Sequence, residues 1–211
     1  MAFFVDPSFF IVLFVSVVVA AVLGLSERPL APWGMVVSAL LLAGLFWGEV
    51  AQLVALALFV ALSLACTRWL MAAPGQRGRF VASVLLVVAP LVIYKLTLSL
   101  TSAGLLGFVG ISYATFKSVQ VLMEVHDGLI EPKGLRVADQ LYFLLNFFEF
   151  DSGPIDRSRR FVEDVHRSLP RDEYAELLAK GILLILGGLA YKLVIASLIH
   201  KGYSLVAWGD G

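Results

Sequence analysis

Cysteine occurs once in this chain of 211 residues, at Cys66, so no disulfide can close within it and its redox compartment cannot be read from thiols. The residue stands inside an apolar run, where a lone cysteine serves as a small buried side chain. Charge is also scarce. Only 15% of the residues are charged and they cancel to a formal net charge of zero, so no overall electrostatic grip on nucleic acid is expected. What remains is 60% hydrophobic, with a mean hydropathy of +0.90. A soluble domain of this length would need far more polar cover. The expected fold class is therefore all-α, a polytopic membrane protein whose first partner is the lipid bilayer, with no soluble domain.

The usual catalytic signatures are missing as well. No glycine-rich loop with a lysine cradles phosphate, and no G-x-S-x-G turn presents a serine. The histidines are scattered: His126 ends a polar stripe beside Asp127, His166 lies in a charged loop, and His200 ends the last apolar segment. His166 and Asp172 are one residue too far apart for an H-x4-D acyl-transfer motif. Glu163, Asp164 and His166 match no zinc or calcium spacing, so they read as a solvated loop and no metal is expected.

Residues 9–25 read as a first helix, retained rather than cleaved because the N-terminus carries Asp6 and no basic flank. Residues 33–70 are too long for one crossing and divide at 48–52, around Glu49. The next break, 71–79, carries Arg77 and Arg79, with Arg68 just before it and no acid. By the positive-inside rule it is cytoplasmic, which sets the N-terminus and the Glu49 connection outside. A fourth helix covers 80–96 with a kink expected at Pro90, and the small, hydroxylated stretch 97–110 reads as a surface or re-entrant segment. Residues 137–150 are too short to span, yet both flanks are basic, so this aromatic segment must dip in and return or lie on the surface. A last crossing over 174–200 offers Gly181, Gly187 and Gly188 for close helix contact and holds an interior charge, Lys192. The sum is about five spanning helices plus re-entrant or interfacial ones.

Two stretches carry more than hydropathy. Tyr113, Lys117, Gln120, Glu124 and Asp127 recur at spacings of four, three, four and three, which places them in one stripe on a helix. Two readings stay open: an amphipathic helix lying in the membrane interface, or a helix whose stripe faces a polar cavity. The second stretch, FDSGPIDRSRRF at 150–161, breaks the apolar sequence with an acidic Gly-Pro turn followed by arginines. Its candidate functional residues are Asp151, Ser152, Gly153, Pro154, Asp156, Arg157, Arg159 and Arg160, as a loop at a cytoplasmic entrance. Positive-inside topology explains the arginines equally well.

Together, GISYATFKSVQVLMEVHDG at 110–128, the FDSGPIDRSRRF loop and GLAYKLVIASLI at 188–199 resemble the membrane-bound O-acyltransferase family, the loop most specifically its D-alanyl-transferring members. The resemblance is clear over 93–199 and rests on hydropathy before that. It implies a multipass enzyme of the bacterial cytoplasmic (inner) membrane. Its donor would be D-alanine held as a thioester on the phosphopantetheine of an acyl carrier protein; its acceptor, a hydroxyl on an extracytoplasmic cell-envelope polymer such as teichoic acid, reached through a tunnel. Tyr113, Lys117, Gln120 and Glu124 would line the cavity.

The family's catalytic histidine lies beyond the matched region, and none of His126, His166 or His200 stands in a matching motif. No catalytic residue is assigned, and no cofactor is expected on this chain itself. The expectation is the N-terminal half of such a membrane domain over 1–211, inactive alone, its C-terminal half missing or supplied by a second chain; the WGDG end just after a membrane helix favours truncation. A degenerate copy, a non-catalytic scaffold recruiting a carrier or an envelope-assembly partner, and a polysaccharide O-acetyltransferase are the alternatives.

Overall fold

The computed structural model describes residues 7–101, 106–131, 134–151, 156–195 and 198–199, and the regular elements among them are helices. In chain order they are α1 (Pro7–Leu25), α2 (Ala31–Leu45), α3 (Val50–Met71), α4 (Arg77–Thr101), α5 (Ile111–His126), α6 (Val137–Leu145), α7 (Ser158–His166) and α8 (Arg171–Ala190), with a 3-10 turn at Phe147–Glu149 and a π-helical turn at Tyr191–Ile195. An apolar surrounding favours helices because each backbone N–H and C=O is then satisfied within its own segment.

α3 is long and apolar enough to cross a bilayer, as is α4 over Arg77–Leu100, with mean hydropathies of 2.3 and 2.2. Phe9–Leu25 and α2 are apolar but shorter. With the composition, these helices make the chain a membrane all-α protein. Among the described residues two helices meet the length and composition of a crossing; the last of the five expected from sequence, over 174–200, lies partly outside them. α8 opens on Arg171, Asp172 and Glu173 and carries Glu176 and Lys180, so charge occupies its first half.

Several boundaries differ from the sequence expectation for local reasons. α4 runs on to Thr101, so residues 97–101, expected at the surface or in a re-entrant segment, continue the helix, and the Thr97 hydroxyl donates to the Ile93 carbonyl at 2.7 Å instead of competing with it. The charged stretch after Phe150, expected as loop, contains α7. Ser158, Phe161, Val162 and Val165 share one face of that helix while Arg159, Arg160, Glu163 and Asp164 stay exposed. Pro90 lies within α4, as expected. Lys192 and His200 lie outside the residues whose side chains are described.

The chain divides into two compact units, Met1–Ser16 with Leu30–Arg167, and Val17–Pro29 with Ser168–Gly211. In the first, α3, α4 and α5 pack on one another, and α6 packs on α2, α3, α5 and α7. Leu70, Val87, Val121, Leu122 and Phe143 form a fully buried centre. α5 is delimited by two left-handed glycines. Gly110 precedes it at φ +83°. At its other end Gly128, at φ +71°, closes a Schellman motif in which the Leu129 N–H donates to the Glu124 carbonyl at 2.9 Å and the Gly128 N–H to the Val125 carbonyl at 3.2 Å.

In the second unit the Tyr174 hydroxyl donates to the Ala20 carbonyl at 2.8 Å, and its ring lies where a Cβ on Gly24 would fall, 2.1 Å from a ring carbon. The Glu27 carboxylate accepts the Arg171 N–H at 3.0 Å, putting a negative charge at the positive end of α8. Leu183, Leu184 and Ile185 are exposed, as suits side chains in contact with lipid.

Gly110 gives a direct test of this packing. An added Cβ would meet the Phe150 carbonyl oxygen at 2.5 Å as well as demanding a positive φ, whereas Gly48, also at φ +83°, faces open space. Gly110→Ala should destabilise the protein by more than about 2 kcal/mol and Gly48→Ala by about 1 kcal/mol. Thermal unfolding in detergent should show the larger loss of Tm for the first.

Candidate functional site

α5 runs parallel to α3 and antiparallel to α4, which gives the bundle two ends. At the Glu49 end, the Val109 N–H donates to the Gln52 side-chain oxygen at 3.3 Å. At the Arg77 end, His126 stacks on Phe80 with ring centres 4.3 Å apart. The chain after α5 travels from one end to the other and back. Leu135 presents its carbonyl to Arg68 at 2.8 Å, at the Arg77 end. Phe143 lies beside the middle of α5, and Phe150 reaches Gly110 and Phe46 at the Glu49 end. Ser158 is back at Glu124, and His166 meets Asp139. This is the excursion and return that the parity of basic flanks demands of a segment too short to span.

The polar stripe of α5 holds that excursion by its helix ends. α6 stops at Asn146, which turns to φ −61°, ψ 109°, leaving the carbonyls of its last turn without intrahelical donors. Lys117, 1% exposed, supplies one: its ammonium donates to the Phe143 carbonyl at 3.0 Å and to the Glu149 carboxylate at 3.1 Å. It also stands 5.0 Å from the Phe143 ring centre. Two turns along, buried Glu124 accepts the Ser158 hydroxyl and, at 3.4 Å, the Arg159 N–H, at the start of α7. A cation thus meets the negative end of one helix and an anion the positive end of the next.

Hydroxyls and amides extend this frame between helices. Ser63 and Ser118 join α3 to α5 at 2.8 Å, and Gln140 donates to Thr67 at 2.8 Å, joining α6 to α3. Between α6 and α7, Arg136 pairs with Asp139 at 2.8 Å, and His166 Nε2 lies 2.8 Å from Asp139 and 2.6 Å from Arg136. With a proton Nε2 donates to the carboxylate; without one it accepts from the guanidinium. His166, read from sequence as part of a solvated loop, is therefore a tertiary contact.

The sequence candidates fall in different places. Tyr113 lines a cavity of about 730 Å³ at the Glu49 end, together with Glu49, Gln52, Tyr94, Lys95 and Asp151. Gln120 is half-buried, its side-chain oxygen without a partner among the described residues. Lys117 and Glu124 face protein. Asp151 lies at the Glu49 end, whereas the exposed Arg157, Arg159 and Arg160 accompany the return towards the Arg77 end, so the described members of the expected entrance loop are divided between the two ends. Asp156 accepts the Arg157 N–H at 2.8 Å, and Arg160 pairs with Asp164 at 3.7 Å. Ser152, Gly153 and Pro154 lie outside the described residues. Sequence reasoning missed Glu149, Ser158 and the Arg136, Asp139 and His166 cluster. Only the i,i+3 spacing of Arg136 and Asp139 gave a local signal.

A helical membrane protein with a segment that runs the depth of its bundle and returns, pinned by buried charges, is the class these features define. The sequence places it more narrowly. It is 34% identical over 202 residues to the teichoic acid D-alanyltransferase of Bacillus subtilis (strain 168), an alignment covering 91% of this chain and 51% of that protein. It is 42% identical over 117 residues to the protein of the same description from Lacticaseibacillus rhamnosus, 55% of this chain and 28% of that one. The corresponding Streptococcus thermophilus protein is 40% identical over 115 residues, 54% of this chain and 27% of that one. These likenesses are consistent with a partial, DltB-like membrane-bound O-acyltransferase, and the chain spans about half the length of the Bacillus protein. No protein-family model matches it.

Two tests follow from the geometry. Lys117→Ala strands Glu149 and the Phe143 carbonyl and should cost about 3–5 kcal/mol, and the double substitution Lys117→Met with Glu149→Gln should recover much of the loss; denaturant titration in mixed micelles measures both. Asp139 supplies a pH dependence. Burial acts to raise its carboxyl pKa, but hydrogen bonds from Arg136 and His166, with their charges, outweigh burial and hold it below the ordinary value. Its stabilisation is thus full above the unfolded carboxylate pKa, about 3.9, and is lost as pH falls through the lower folded value. Hydrogen exchange corrected for intrinsic rates should show α6 and α7 losing protection across that acid range, and Asp139→Asn should remove the dependence.

Proposed function

We propose that this chain forms half of a bacterial cytoplasmic-membrane O-acyltransferase, one that moves D-alanine from a carrier-protein thioester to a hydroxyl of a teichoic-acid-type polymer outside the membrane. The observation that carries this reading is the alignment of 91% of the chain with a teichoic acid D-alanyltransferase. The positive charge of Arg68, Arg77 and Arg79 supports a cytoplasmic Arg77 end and an N-terminus outside. The segment clamped by Lys117 and Glu124 then enters from the cytoplasmic side and brings Asp151 to the outer level.

Within this reading the chain supplies wall and entrance and the matching second half supplies the base. Transfer from a thioester is activated, but the acceptor hydroxyl must lose its proton to a base within hydrogen-bond reach. No residue of this chain is assigned that role. Arg159 and Arg160, exposed on α7 at the cytoplasmic end, suit an acidic carrier electrostatically. The phosphopantetheine arrives with that carrier.

The test is transfer of labelled D-alanine from its carrier thioester to polymer in proteoliposomes. The 211-residue chain alone should give background counts, and adding the second half of a D-alanyltransferase relative should restore transfer. Counts from the chain alone would overturn its non-catalytic assignment. Failure of both halves together, or a preference for an acetyl donor, would sink the D-alanyl reading.

A further inference from the structure

The 730 Å³ cavity at the Glu49 end has a chemistry that the clamp does not use. Its charged walls come from three parts of the fold: Glu49 from the connection between α2 and α3, Lys95 from α4, and Asp151 from the tip of the excursion. None of the three forms an ion pair among the described residues, so opposite charges share the cavity without cancelling at contact. Gln52 orders the floor, donating to Glu49 at 3.3 Å while its oxygen holds the Val109 N–H. Tyr113 adds an aromatic face and a hydroxyl, while the Tyr94 ring faces Lys95, whose ammonium stands 5.7 Å from its centre.

A simple anion placed here meets two carboxylates, a simple cation meets Lys95, and a neutral polyol leaves all three charges unused. A ligand whose own charges are opposite and separated answers each of them. The volume lies within the roughly 300–1,000 Å³ of small-molecule sites. We infer that this cavity binds a zwitterionic phosphodiester, its phosphate against Lys95 and its primary ammonium between Glu49 and Asp151, with the Tyr113 ring favouring the cation. Two sources carry this chemistry: an aminoacylated repeat of a polyol-phosphate polymer, which the proposed transfer would produce, and the headgroup of an ethanolamine phospholipid. The first source rests on the proposed function; the site itself does not.

The probe is glycerophosphoethanolamine, titrated into the purified chain in detergent by calorimetry. It should bind at least about tenfold more tightly than glycerophosphoglycerol, which lacks the ammonium, than ethanolamine, which lacks the phosphate, or than its own N-acetyl derivative. Lys95→Gln, Glu49→Gln and Asp151→Asn should each weaken binding by about tenfold, while Glu176→Gln, on exposed α8, should leave it unchanged. Circular dichroism confirms that each variant keeps its helices. No binding, equal binding of glycerophosphoglycerol, or indifference to all three cavity substitutions overturns the inference. In nanodiscs, displacement of the probe by phosphatidylethanolamine assigns the site to the lipid headgroup, and persistence assigns it to a soluble phosphodiester. A chain that binds the probe but supports no transfer with its second half keeps this site and loses the transfer reading. The converse discards the site alone.

Discussion

A charge enclosed by protein in an apolar surrounding must find its partners within the fold, and in this chain two such charges sit two turns apart on one face of α5. Lys117 answers the loose carbonyls and the acid at the end of α6, and Glu124 answers the loose amides at the start of α7. Each helix end would otherwise leave backbone groups unsatisfied in a medium that offers no replacement. The same contacts therefore satisfy the charges, end the helices and hold the returning segment against the bundle.

Helices in lipid gain little from hiding apolar side chains, because the lipid is as apolar as they are. Specific contacts must therefore set how they pack. The Ser63 to Ser118 and Gln140 to Thr67 bonds do so between α3 and its neighbours, and Gly110 lets Phe150 approach the start of α5 where no larger residue fits. Between α6 and α7 the work passes to Arg136, Asp139 and His166, whose contact survives either protonation state of the imidazole because one neighbour accepts and the other donates.

The two ends of the bundle differ chemically. The Arg77 end is basic and carries the exposed arginines of α7, while the Glu49 end opens a cavity of mixed charge around Lys95 and Asp151. The chain spans about half the length of its Bacillus relative.

Much of the architecture was legible before folding, because hydropathy and glycine act locally. The first four helices, the break near Glu49 and the five-residue polar stripe of α5 follow from runs and spacings, and the excursion after Val137 follows from its length and basic flanks. α7 was legible in principle, since Ser158, Phe161, Val162 and Val165 keep helical spacing, but its arginines masked the pattern. The site was less so. That Lys117 would face Glu149 and Phe143, that Glu124 would hold Ser158, and that His166 would reach Asp139 depended on which elements came to lie side by side. Those partners are 26 to 34 residues apart in the chain. The sequence by itself determined the helices and the end at which the positive charge collects, because both depend on neighbours along the chain; only the tertiary structure decided which buried charge meets which helix end, because that pairing is made across space.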